Sequence, residues 1–248
     1  MTTNASLSNH YASYYVKGAG AWRNVTARAK AANIISLWQE ASRPRPHTVV
    51  EIGCGDGAVL ARLDELGFAD EYVGAELSAS ALEMARERTF RAPVRWTDVA
   101  SGSEVLADQS VDLVVLSHVV EHAADPRGLI AEAARIGRAV FVEVPLEHHW
   151  RSPRNWRWQS LGHINFYTPN TLRWLVESSV APERLDVIAE KVTSVDLDAL
   201  TFQNGRIGGW LRWSVKRALL ALVPSLAVRL FTYHGSVLAV REQGGGQA

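Results

Sequence analysis

Cysteine is almost missing from this chain. Cys54 is the one cysteine in 248 residues, so no disulfide can close within the chain, and a reducing compartment suits it. An excess of charge is missing too. The 26 lysines and arginines balance 26 aspartates and glutamates, and zero net charge removes the electrostatic footprint of a general nucleic-acid binder. Long apolar runs are also lacking. MTTNASLSNH at the start has no apolar centre of the signal-peptide kind, and the longest run, Ala218 to Val228, is broken by Pro224 and Ser225 and is too short to span a bilayer. A soluble, cytoplasmic protein is expected. No internal repeat is visible, and the glycine-rich end, residues 242–248, is expected to be a disordered tail. No GxxxxGK[ST] occurs, which removes the reason to propose an ATPase.

What is present is VVEIGCGDGAVL, residues 49–60. Val49, Val50 and Ile52 have the β-branched character of a buried parallel strand, and Gly53, Gly55 and Gly57 allow backbone to approach a ligand where any Cβ would collide. A helix starting near Asp56 then points its N-terminus at that ligand. The glycines fall at every second position, whereas the dinucleotide fingerprint wants the third where Ala58 stands. A cofactor without a pyrophosphate therefore fits better than NAD.

Alternation continues downstream. Strands are expected at 47–52, 70–76, 93–97, 111–117 and 138–145, with helices at 57–66, 79–88 and 125–136. A further helix starts at Thr168 with Pro169 at an allowed early position, and RLDVIAEKV and GSVLAVRE read as two last strands. This pattern predicts an α/β, Rossmann-like, doubly wound sheet of seven mainly parallel strands, with an antiparallel last strand. A chain of 248 residues with 47% hydrophobic content can bury one full core of this kind. Residues 45–241 are expected to form one domain. A helical lid of residues 1–44, with Tyr11, Tyr14, Tyr15 and Trp22 and a helix over 21–41, precedes it, and a helical insert at 197–231 comes before the last strand.

These motifs resemble the class I S-adenosylmethionine-dependent methyltransferases, whose first motif is an acidic residue followed by x-Gly-x-Gly-x-Gly, matched by Glu51, Gly53, Gly55 and Gly57 around Cys54. The resemblance implies that Glu76, followed by Leu77 after the second strand, accepts the ribose hydroxyls. It places Asp98 beside the adenine amino group and the Val99 backbone near the ring. It opens the fourth strand onto the methyl position through Ser117 and His118. These loops lie at carboxyl ends of strands, where open α/β sheets bind ligands.

Chemistry is expected in SHVVEH, residues 117–122, and in GHINFYTP. A sulfonium methyl is already activated, so alignment and one base suffice. Histidine titrates near neutral pH, which makes His118 the first candidate base and His163 the second. The run also resembles the Glu-x-x-Glu-His motif of metal-dependent O-methyltransferases of the ubiquinone pathway and of small-RNA 2′-hydroxyl methylation, with His118 in place of the first glutamate. By that likeness His118, Glu121, His122 and His163 could hold a borderline divalent ion, although relatives carry a similar run without metal.

Residues 147–167 crowd aromatics and cations into the segment after the fifth strand. Arg151, Arg154 and Arg157 could grip a carboxylate or phosphate, and Trp150, Trp156 and Trp158 could stack on a ring; Tyr14 and Tyr15 join them as acceptor candidates through the lid. In the insert, Ile207, Leu211, Val215, Ala218 and Leu222 share one helical face while Arg206, Arg212, Lys216 and Arg217 fall opposite. Such a helix, 206–222, could lie on an anionic membrane, cap a lipid-like substrate, form a dimer contact, or pack on the core with its basic face in water. The resulting expectation is methyl transfer in biosynthesis to an oxygen or nitrogen of a small, specialised-metabolite or sugar-like acceptor bearing an anionic group, by a monomer or homodimer with no nucleic-acid partner. Methylation of a lipid or isoprenoid at a membrane surface, or a non-catalytic cofactor-binding regulatory role, are the alternatives.

Overall fold

The computed structural model describes residues 20–98, 106–150 and 162–241. Seven strands run β1 (Thr48–Ile52), β2 (Glu71–Glu76), β3 (Val94–Asp98), β4 (Leu113–Ser117), β5 (Ala139–Leu146), β6 (Leu185–Thr193) and β7 (Tyr233–Arg241). They form one sheet in the order β3-β2-β1-β4-β5-β7-β6. Pairing is parallel from β3 through β5, and β7 runs antiparallel to both of its neighbours. The order reverses between β1 and β4, which puts a ligand crevice outside the carboxyl ends of those two strands.

The five inner strands β2, β1, β4, β5 and β7 are buried on both faces, because they alternate between two cores, while the edge strands β3 and β6 are partly exposed. On β4, Val114 and Leu116 face Ile130, Ala133 and Val176 of helices α4 (Pro126–Ile136) and α5 (Pro169–Val180). Leu113 and Val115 face Leu60 and Leu63 of α2 (Ala58–Glu65), and Ala31, Ile34 and Leu37 of α1 (Gly20–Glu40). Each such large apolar side chain contributes about 1.5–3 kcal/mol by leaving water. Helix α1 thus belongs to the core over residues 20–40, where the sequence reading had placed it in a lid. Its apolar positions are spaced at three and four, and they cover the sheet face that the βα crossovers leave open. The rest of the expected lid, with Tyr11, Tyr14 and Tyr15, lies outside the described residues.

Helix starts follow local chemistry. Ser78 caps α3 (Ala79–Arg86) by accepting from Ala81 N, Asp125 caps α4 from Gly128 N, and Thr168 and Thr171 cap α5 reciprocally, with Pro126 and Pro169 in the first turns.

The insert is helix α6 (Leu197–Leu222) followed by α7 (Pro224–Leu230). Gly205 breaks α6 at φ 72° and ψ 168°, a backbone state reserved for glycine. Beyond it the second arm folds back on the first so closely that a Cβ on Gly209 would meet Thr201 Cα at 2.5 Å. Lys216 points inward and is buried, donating to Thr232 O. Leu219 and Leu220 pack with it against the core. The expected polar face is therefore corrected at Lys216: burial of its stem lets the apolar stripe of Ile207, Leu211, Val215 and Leu222 face outward.

Candidate functional site

Three glycines shape the turn after β1. Gly53, Gly55 and Gly57 all take positive φ, at 74°, 56° and 73°. A side chain at Gly53 would strike Val119 Cγ2 at 2.7 Å, so the turn lies directly against the loop that follows β4. The turn is clamped from outside by Asp56, which accepts from Arg23 of α1 at 2.8 Å and from Arg88 at 2.9 Å. Cys54 is buried beside it, and burial followed by the nearby Glu51 and Glu76 charges pushes its thiol well above the ordinary range. A buried thiol held in that state is a poor nucleophile.

Two buried carboxylates, Glu76 and Glu51, flank this turn. Glu76 ends β2 and is buried; its Oε2 accepts from Gly55 N at 2.8 Å, and its Oε1 from Leu77 N and Ser78 N. Leu77 itself is exposed. Asp98, in register with Glu76, ends β3; Val99 lies outside the described residues. Glu51 is buried on β1 with Oε2 unpartnered, and burial pushes its carboxyl up to about 8 although Lys30 counteracts. An orphaned buried acid oxygen, a cradle that a Cβ would fill and a carboxylate at the end of β2 fit an α-amino acid joined to a nucleoside. The residues present therefore suit S-adenosylmethionine.

The loop after β4 carries the second cluster. Ser117 is buried with an unpartnered hydroxyl, and His118 follows in a left-handed conformation at φ 57°, uncommon for a side-chain-bearing residue. Its amide donates to Glu143 O at 2.9 Å, extending the β4–β5 ladder by one step. Both ring nitrogens face buried carboxylates: Nδ1 lies 3.3 Å from Glu121 Oε1, and Nε2 lies 3.4 Å from Glu143 Oε1. Burial and Lys30 oppose a charge on His118, yet Glu121 and Glu143 outweigh them and hold its pKa above the ordinary value. Against its own burial, Glu143 is held down to about 2 by His118. Its other oxygen accepts from Asn33 and Ser236. His234 stands edge-on to His118 at 4.8 Å, and burial drives its pKa down to about 3.

His163 reaches the same region from the segment before α5. Ile164 N and Asn165 N donate to Glu121 O, and Asn165 Nδ2 bonds Ala123 O, stitching GHIN onto the loop after β4. His163 Nδ1 pairs with Glu147 Oε2 at 2.7 Å, and its ring meets His122 edge-on at 4.7 Å. His122 Nδ1 pairs with Gly162 O at 3.0 Å, and burial lowers its pKa.

Among the described residues the four metal candidates do not form one set. Glu121, His122 and His163 bring ligand atoms within 4.8 Å of one another, while His118 groups with Glu143 and His234. Each set has the imidazole and carboxylate chemistry of a borderline divalent ion. Glu143 and His234 escaped the sequence reading. Their only signal was a lone acid in AVFVEVPL and a lone histidine opening β7. Trp150 is exposed, and its amide donates to Arg229 O, joining the segment after β5 to the insert. Arg151, Arg154, Arg157, Trp156 and Trp158 lie outside the described residues.

The sequence matches the family described as a methyltransferase domain over residues 22–179, more than half of the chain. An uncharacterized methyltransferase of Mycobacterium sp. strain JLS is 34% identical over 125 residues, covering 50% of this chain and 48% of the relative. A ubiquinone biosynthesis O-methyltransferase of Chelativorans sp. strain BNC1 is 35% identical over 99 residues, 38% of each chain. The chain thus matches about half or less of the length of these curated relatives. A magnesium protoporphyrin IX methyltransferase from Synechocystis PCC 6803, solved with bound SAH, superposes with a TM-score of 0.60 at 11% identity, over 97% of this chain and 100% of that one. The glycine turn, the buried acids beside it and the family match carry one conclusion: the chain belongs to the methyltransferase domain family of class I S-adenosylmethionine-dependent methyltransferases.

Proposed function

We propose that this chain transfers the methyl group of S-adenosylmethionine to an oxygen or nitrogen of a small-molecule acceptor, specialised-metabolite or sugar-like, with an anionic group for the arginines of residues 151–157. The carrying observation is the His163–Glu147 pair at 2.7 Å, fastened to the loop after β4 beside the glycine turn. When bound, S-adenosylmethionine supplies a methyl already activated on a sulfonium. Glu51 would receive its ammonium group, Glu76 its ribose hydroxyls and Asp98 its adenine amino group. His163 takes the proton that the acceptor O–H or N–H gives up, and Glu147 holds the imidazole at Nδ1 and stabilises the imidazolium. This order reverses the sequence preference for His118. With both nitrogens turned to buried carboxylates, His118 is an ion-paired strut that fixes the loop.

Methyl-labelled S-adenosylmethionine, incubated with a panel of hydroxylated and aminated carboxylic acids and sugars, tests this reading. Label should enter a product and fall about 10²- to 10⁴-fold in His163→Ala, with cofactor affinity nearly unchanged. Tight cofactor binding without product from any acceptor would instead favour a regulatory, non-catalytic role. Product formation undiminished in His163→Ala would remove the histidine from catalysis.

A further inference from the structure

The second arm of α6 turns its apolar side away from the protein. Ile207 is 86% exposed, Leu222 79%, Trp210 58% and Leu211 57%. Val215, Val223 and Leu226 extend this exposed patch across the junction with α7. Helical geometry of about 3.6 residues per turn places Arg206 and Arg217 along one border of the stripe and Arg212 along the other. All three are exposed, as is Arg229 on α7. Arg217 stacks over Trp213 at 4.7 Å, which keeps an aromatic ring and a cation together at that border. Between Asp198 and Glu242 the sequence contains no acidic residue. In a chain of zero net charge, the insert is thus a local concentration of positive charge around exposed apolar side chains.

We propose that this face docks on the surface of an anionic lipid bilayer, with the apolar stripe at the acyl boundary and the arginines among the headgroups. Charge decides between occupants. A second copy meeting this face about a two-fold axis would set arginines against arginines with no carboxylate in the patch to offset them. A lipid surface offers phosphates to the arginines and acyl chains to Ile207, Leu211 and Leu222, and tryptophan at positions 210 and 213 suits the headgroup level. No helix among the described residues is long and apolar enough to cross a membrane, so the helix lies along the surface. Lys216 is the inward anchor that sets this orientation. Its ammonium is tied to Thr232 O, and Tyr233 Oη donates to the Lys216 carbonyl. The patch also adjoins the acceptor segment, because Trp150 is exposed and bonds α7 through Arg229 O. Docking would bring Trp150 to the lipid surface whichever molecule accepts the methyl group.

Co-sedimentation of the full chain with phosphatidylcholine vesicles, with and without phosphatidylglycerol, tests the proposal. The chain should pellet with the phosphatidylglycerol vesicles and be released by added salt, which screens charges beyond about 10 Å at 0.1 M. The double variant Ile207→Glu, Leu211→Glu should lose roughly tenfold or more in partitioning, with an unchanged melting curve and cofactor affinity. Arg206→Gln with Arg212→Gln and Arg217→Gln should flatten the salt dependence. Failure to pellet with anionic vesicles overturns the proposal, as does equal binding by the double variant. A concentration-dependent dimer that Leu211→Glu dissociates, without vesicle binding, would assign the face to a second copy instead.

Discussion

His118 Nε2 lies 3.4 Å from Glu143 Oε1, joining the loop after β4 to a fully buried acid inside β5. A carboxylate at that depth would ordinarily take up a proton, yet Glu143 is held down to about 2 and His118 is held above its ordinary value. The pair is mutually dependent, since each group is the compensation for the other's burial. Asn33 and Ser236 fix the second oxygen of Glu143, so the acid cannot turn away.

Glu143→Gln should therefore lower the His118 pKa and destabilise the protein by about 3–5 kcal/mol, the usual cost of breaking a buried pair. For a chain of this size that corresponds to a fall in Tm of roughly 10 °C. Imidazole titration by NMR and a thermal melt would read both effects. An unmoved His118 titration would show that Glu143 does not hold its charge.

The same cluster sets an acid limit. Unfolded Glu143 binds a proton below its ordinary 4.5 while the folded acid stays ionised to about 2, so its stabilisation is present above that ordinary value and is lost as pH falls. His234 works in the same direction. Its folded pKa is lowered to about 3 from 6.5, so the unfolded chain gains protons first through that window. His118 acts oppositely: its raised pKa contributes stability that is lost as pH climbs through the folded value. Glu51, raised to about 8, takes up its proton in the folded state first and opposes His234 between about 6.5 and 4.5, so the net decline in Tm should set in below about 4.5, and the Tm of His234→Asn should fall less than that of the parent as pH drops from about 6.5. Equal slopes for variant and parent would take His234 out of the linkage.

Glu76 provides a test of the cofactor pocket. Its carboxylate accepts from Gly55, Leu77 and Ser78 and is expected to accept the ribose hydroxyls as well. Glu76→Gln keeps the size and removes the charge. Calorimetry should show S-adenosylmethionine affinity weakened roughly 10- to 100-fold, the worth of charged hydrogen bonds. Unaltered affinity would move the ribose elsewhere.

The sheet and the glycine turn were legible because their signals are local. Strand periodicity, the Gly53-Gly55-Gly57 spacing and the acid ending β2 each sit within a few residues, and the observed boundaries of β1 and β2 differ from the expected ones by one residue. Three features were not legible, each for a tertiary reason. Glu143 and His234 meet His118 only because β7 inserts beside β5. The amphipathic pattern of α6 fixed an apolar face but not its direction; Gly205, Gly209 and buried Lys216 turn that face outward. Helix α1 carries Val25, Ala29, Ala32 and Ile35 outside its buried stripe as well as Arg23, Arg28 and Lys30, and that even spread hid which side belongs to the core.

Gly53 couples the two halves of the site. Its φ of 74° costs a side-chain-bearing residue about 1–2 kcal/mol, and an added Cβ would also sit 2.7 Å from Val119 Cγ2 and 3.0 Å from Val119 Cβ. Gly53→Ala should therefore push Val119 away and drag the adjoining His118 with it, weakening cofactor binding beyond what the backbone strain alone would do. Combining it with Val119→Ala removes the collision but leaves the φ penalty. The double variant should regain part of the S-adenosylmethionine affinity while keeping a lowered Tm. Identical affinities for the single and double variants would mean that the turn and the loop after β4 bind independently, and that backbone conformation alone accounts for the glycine.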